Sequence, residues 1–221
     1  MSFELTDAEV RVLGAMIEKD MATPEYYPLS LNALVNACNQ KSNRDPAVNY
    51  DEAAVRRALD GLRAKNLALI TTGGDNRVPK YSHRISETLN LGNRELAILC
   101  VLMLRGPQTV GELKGRTQRL HDFDDLAAVE ACLTRLMERE PDPLATRLSR
   151  YSGMREPRYA HLLAGEIQLP ESPAAGSAPA EPARHESMPE RMAKLEAEVD
   201  SLRSALADLQ EQFDRFRRQF E

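Results

Sequence analysis

The chain repeats itself, and the repeat limits what it can fold into. The stretch "LTDAEVRVLGAMIEK" (5–19) aligns with "LGNRELAILCVLMLR" (91–105) at an offset of 86. "PLSLNALVNAC" (28–38) aligns with "PQTVGELKGRT" (107–117) at an offset of 79. "VRRALDGL" (55–62) aligns with "VEACLTRL" (129–136) at 74, and "PKYSHRI" (79–85) aligns with "PRYAHLL" (157–163) at 78. Four collinear matches identify two copies of one unit, each of about 75–85 residues.

Local signals give each copy the same element order. Thr6-x-x-Glu9 is a capping box, and Val10, Leu13 and Ile17 follow at helical spacing. Ser30 can cap a short second helix carrying Leu31, Leu34 and Val35; in the second copy Thr109-x-x-Glu112 is again a capping box. A third helix carries Val55, Leu59 and Leu62, matched by Val129, Leu133 and Leu136. "LALITT", the turn "GGDN" and "RVPKYSHRI" then read as a β-hairpin, with Pro79 and Pro157 near the starts of their strands. Three helices and a hairpin is the order of a winged helix. The expected class is therefore mainly α with small β-hairpin wings (α+β), with winged-helix units at 1–88 and 89–165.

The rest of the chain differs in kind. Residues 166–187 are rich in Pro, Ala, Ser and Glu without periodicity, which predicts a disordered linker. In 188–221, Met192, Val199, Leu206, Phe213 and Phe220 repeat every seven residues, as do Leu195, Leu202, Leu209 and Phe216. This a/d register predicts a coiled-coil helix and a homo-oligomer formed through it. Arg191 facing Glu196, and Glu198 facing Arg203, suit parallel pairing.

Residues 1–165 also resemble a known family. "LTDAEVRVLGAMIEKDMATPEYYPLSLNALVNACNQKSNRDP", "VRRALDGLRAKNLA", "PKYSHR" and "GELKGRTQRLHDFDDL" are similar to the uncharacterised bacterial YceH family, whose members carry a domain of unknown function. The resemblance implies tandem winged helices in a cytosolic bacterial protein, and it implies no activity.

Composition narrows the function classes. The net charge is −5, divided as −1 over 1–90, 0 over 91–170 and −4 over the remaining tail. That argues against a protein that coats nucleic acid, and leaves room for a local basic face. No apolar run reaches the roughly 18 residues of a membrane span, and the N-terminus lacks a signal-peptide core. The expected location is the cytoplasm. Cys38, Cys100 and Cys132 are far apart, form no C-x-x-C pair and show no ligand spacing with the four His, so reduced thiols and no metal or cofactor are expected. Nucleophile elbow, phosphate loop and metal motifs are absent from the sequence, which reads as non-enzymatic. Tyr81 and His83, like Tyr159 and His161, share one strand face and read as packing residues.

Two roles fit this scaffold: DNA binding with a regulatory function, and a protein-interaction adaptor that binds no DNA. The candidate contact residues are the same for both. Opposite the core face, the third helix of copy one offers Arg57, with Arg56 at its edge; Asp60 is placed to pair with Arg57. The wings offer Arg77 and Lys80 in copy one, and Arg147, Arg150, Arg155 and Arg158 in copy two. The third helix of copy two offers no basic outer face. Copy one also carries two insertions. Seven extra residues fall within "DMATPEYYP" and five within "NQKSNRDPAVNYD". The second insertion adds Gln40, Lys41, Asn43 and Arg44 just before the third helix. A loop longer than the fold requires is a candidate contact surface.

Overall fold

The computed structural model describes residues 4–73, 76–148 and 156–165, all within one compact unit, Met1–Ser172. The 166–187 linker and the 188–221 heptads lie outside the described residues, as do Arg150 and Arg155.

Helix α1 (Asp7–Ala22) starts on a capping box, in which the Thr6 hydroxyl accepts from the Glu9 amide and the Glu9 carboxylate accepts from the Thr6 amide. Strand β1 (Leu29–Ser30) leads into α2 (Leu31–Cys38), capped by Ser30, and α3 (Glu52–Ala64) is capped by Asp51. Strands β2 (Ala68–Gly73) and β3 (Asn76–His83) form the hairpin. The second copy follows the same order: α5 (Asn93–Arg105), α6 (Val110–Thr117), α7 (Leu126–Met137), β4 (Ala145–Arg147) and β5 (Tyr159–His161). Between the copies lies α4 (Ile85–Leu89), where the sequence suggested a continuing strand. Ile85 and Leu89 are buried there, at i and i+4, so a single helical turn closes the first unit. The fold is thus mainly helical α+β with two small antiparallel sheets.

The sheets repeat the sequence correspondence. β3 is central, with β1 and β2 on its two sides, and Leu29 sits opposite Tyr81. In the second copy Gln108 bridges Tyr159 at the matching positions, beside the β4–β5 pair. Pro79 lies inside β3 rather than near its start. Opposite it, β2 is irregular between Thr71 and Gly73, and β1 pairs only from Lys80 onward, so no ladder bond is lost to the missing N–H.

The two copies share one apolar core, in which Leu13, Met16 and Ile17 of α1 and Ile98, Leu99 and Leu102 of α5 are fully enclosed. Helices α1 and α5 cross where the Cys100 thiol meets the Gly14 carbonyl at 3.5 Å. Positions 14 and 100 are equivalent in the repeat, so the copies meet as the halves of a local two-fold would. A Cβ on Gly14 would stand 3.0 Å from the Leu104 side chain, so glycine permits this close approach.

Candidate functional site

The α3 helix buries Val55, Ala58, Leu59 and Leu62, and presents Ala53, Arg56, Arg57, Asp60, Arg63 and Ala64 to solvent. Glu52 pairs with Arg56 at 2.6 Å, and Asp60 pairs with Arg63 at 3.4 Å. The Arg57–Asp60 pair suggested by the sequence is therefore not formed. Both acids on this face are engaged elsewhere, and Arg57 makes no ion pair among the described residues. Small Ala53 and Ala64 flank the arginines and leave the face low enough for a partner surface to approach. On the hairpin, Lys80 is half-buried and Val78 is 56% exposed; Arg77 lies on β3 where side chains are outside the described ones.

The corresponding helix of the second copy is different. Its exposed face carries Ala127, Glu130, Ala131 and Thr134, and Leu126 at its start is 50% exposed. Arg135 reaches Glu95 at 3.0 Å. Of the arginines expected on the second hairpin, Arg147 is exposed on β4. Arg158 is a structural residue: it donates to the Pro107 carbonyl at 2.7 Å and to Glu112 at 3.0 Å.

The insertion after α2 overturns one expectation outright. Arg44 is not a surface contact; its side chain is 0% exposed. The guanidinium grips both oxygens of Glu18, at 3.0 and 2.6 Å, and donates to the Ala37 carbonyl, the Asn43 carbonyl and Gln40. The surrounding loop is stitched down as well. Asn39 exchanges two hydrogen bonds with the Tyr50 backbone, both 2.8 Å. Arg11 donates to the Pro46 carbonyl at 2.5 Å. Across the repeat boundary, the Asp45 amide donates to the Leu104 carbonyl at 2.8 Å, and Arg105 donates to the Asn43 side chain. Five residues that look surplus in one copy thus clamp α1 and α2 to α5. Lys41, Ser42 and Asn43 remain exposed at the tip, and Gln40 is half-buried.

Burial shifts several titratable residues of the interior. Cys38, Cys100 and Cys132 are free and buried. Burial pushes the Cys38 thiol up to about 12 and the Cys132 thiol to about 11, so neither is a ready nucleophile. Burial also depresses the His161 imidazole to about 4. His83 is lowered by burial as well, against the opposing pull of Asp20, 3.2 Å from its Nε2. The buried Tyr81 and Tyr159 support the packing reading of these strands. Among the described residues, no cluster of His, Cys, Asp or Glu could hold a metal ion, and no helix is long and apolar enough to cross a membrane.

Comparison with known proteins places this scaffold. The family described as "Protein of unknown function, DUF480" matches residues 5–154. A UPF0502 protein of Pelobacter propionicus is 52% identical over 221 residues, covering all of both chains. Similar proteins of Solibacter usitatus and Geotalea uraniireducens are 52% and 54% identical, again over the whole of both chains. The similarity therefore runs past residue 165 and through the linker and heptad segments. The chain belongs to the DUF480 family of proteins of unknown function.

Proposed function

We propose that the two repeats are winged helices and that the first binds DNA through α3, in a non-enzymatic, cytoplasmic, regulatory protein. The order of three helices and a hairpin supports the winged-helix reading. In that arrangement the outer face of the third helix lies in the major groove, and the hairpin tracks the backbone. The observation that carries the DNA reading is the state of the α3 face. Its two acids are held by Arg56 and Arg63, and Arg57 is left exposed between small residues with no ion pair among the described residues. A guanidinium so placed can donate two hydrogen bonds to guanine. Exposed Arg56 and Arg63 each hold an acid through one guanidinium nitrogen and keep other donors for a phosphate, and half-buried Lys80 adds a third phosphate contact.

The second repeat supports a different role for its own outer face. Leu126, Ala127 and Ala131 are exposed beside Glu130, and the one exposed arginine described on this helix, Arg135, is paired with Glu95, which suits a protein partner better than phosphate. The adaptor reading is kept for that repeat. Self-association through the 188–221 heptads is carried by the sequence pattern. It would bring two or more copies of the α3 face to one DNA.

The test is a fluorescence-anisotropy titration of a labelled genomic duplex pool at 50 and 200 mM salt. Three phosphate contacts predict roughly a 40-fold loss of affinity across that range. Absence of binding at 50 mM salt refutes the DNA reading and leaves the adaptor, which pull-down from a bacterial lysate would then address.

A further inference from the structure

A cleft of about 430 Å³ opens between the two repeats, on the side closed by the Arg44 loop. It is walled by the C-terminal ends of α1, α5 and α6 and by the tip of the loop. Lys19, Arg105, Arg116 and Arg119 line it, and among the described residues Glu18 is the one acidic residue in the wall. Glu18 is already committed, since both its oxygens are held by Arg44 behind the wall. The nearby Glu112 is shared between Arg116 at 3.4 Å and Arg158 at 3.0 Å.

Basic residues in the last turns of helices often do no more than complement the helix dipole. Each helix end carries roughly half a negative charge. Three such ends, together with Glu18 and a shared Glu112, still leave an excess of about two positive charges when Arg44 is included. The crowding is visible at Arg105. Burial, then the neighbouring Arg116 and Arg44 guanidiniums, lower its pKa from the ordinary value. Like charges held together in a partly desolvated cleft are costly unless a counter-charge enters.

The rest of the wall limits what that counter-charge is attached to. Among the described residues no aromatic ring lines the cleft, so they offer no platform for a nucleobase. Thr23, Gln40, Ser42, Asn43 and Gln118 supply neutral donors and acceptors around the cations. The volume is within the range of small-ligand pockets.

We propose that this cleft binds a phosphomonoester of a small polyhydroxylated molecule, a sugar phosphate in chemical class, with Arg105, Arg116 and Arg119 on the phosphate. The site lies apart from the α3 face, and the proposal does not depend on DNA binding. It joins α1, α5, α6 and the loop, so an occupant would tie the two repeats together.

The experiment is isothermal titration of the full chain at 20 mM NaCl, with glucose 6-phosphate and with inorganic phosphate as probes. The expected result is one site per chain, with a dissociation constant below 1 mM for the ester and weaker binding of phosphate. Arg119→Gln, at an exposed position, and Arg105→Gln should each weaken binding at least tenfold. Arg57→Gln on α3 should leave it unchanged. Circular dichroism of each variant confirms folding. The proposal is overturned if neither probe binds below 10 mM. It is equally overturned if binding survives both cleft substitutions, or is lost with Arg57→Gln instead.

Discussion

Replacing Arg44 tests how the insertion works. Its guanidinium is fully enclosed and has a bidentate partner in Glu18, whose side chain is 15% exposed. Breaking a buried ion pair from one side costs about 3–5 kcal/mol, because the remaining charge has no partner. Arg44→Met keeps most of the volume and leaves Glu18, which can turn toward water and Lys19, 3.7 Å away. The expected loss is therefore near the lower end, about 3 kcal/mol. Glu18→Ala leaves the guanidinium buried among neutral carbonyls and should cost about 4 kcal/mol. In Glu18→Leu/Arg44→Met an apolar pair fills the site, and most of the loss should be recovered. Urea denaturation followed by far-ultraviolet circular dichroism measures this. With an m-value of about 2 kcal/mol/M, Arg44→Met should lower the midpoint by roughly 1.5 M. A midpoint within about 0.5 M of the parent, or a double variant as weak as the sum of the singles, would refute the clamp.

Other outcomes follow from the interior. His161 has a folded pKa of about 4 against an ordinary 6.5. Between these values the unfolded chain binds the proton and the folded chain does not, so stability is full above pH 6.5 and is lost as pH falls through about 4. Acidification from pH 7 to 5 should cost about 2 kcal/mol, and His161→Gln should flatten that slope in pH-dependent urea melts. Gly61→Ala places a Cβ against the Glu9 carboxylate, which holds Lys65 and the Thr6 amide. The displaced carboxylate should outweigh the roughly 1 kcal/mol helix-propensity gain of alanine, so the melting temperature should fall. The three cysteines are buried and free, so Ellman's reagent at pH 8 should find almost no thiol in the folded protein and three after denaturation. A heptad segment that self-associates should give a sedimentation mass above that of one 24.7 kDa chain at tens of micromolar.

The elements were legible where the determinant is local. Thr6 with Glu9, Ser30, and Thr109 with Glu112 each cap the helix that their spacing predicts. The repeat offsets also anticipate that Gln108–Tyr159 reproduces Leu29–Tyr81. The role of the insertion was not legible, because the partner of Arg44 lies 26 residues upstream on another helix. A polar loop with Lys and Arg looks the same in sequence whether its charge faces water or a buried carboxylate. The same blindness hid Arg158, whose partners are a carbonyl and a carboxylate in the α5–α6 connection and α6. On α3 the exposed face was correct, but the pairing was not. Asp60 has arginines three positions away on both sides, and the structure pairs it with Arg63. The cleft between the repeats was invisible in sequence, since its cations come from three helices that only packing brings together.

The central functional claim is that DNA is contacted by the exposed arginine of α3 and not by the buried arginine of the loop. The most direct measurement compares Arg57→Glu with Arg44→Met in the same duplex titration at 50 mM salt, at a temperature where both variants remain folded. The account predicts that Arg57→Glu abolishes binding, while Arg44→Met, although less stable, binds as the parent does. Parent-like binding by Arg57→Glu, or selective loss of binding in folded Arg44→Met, would contradict it.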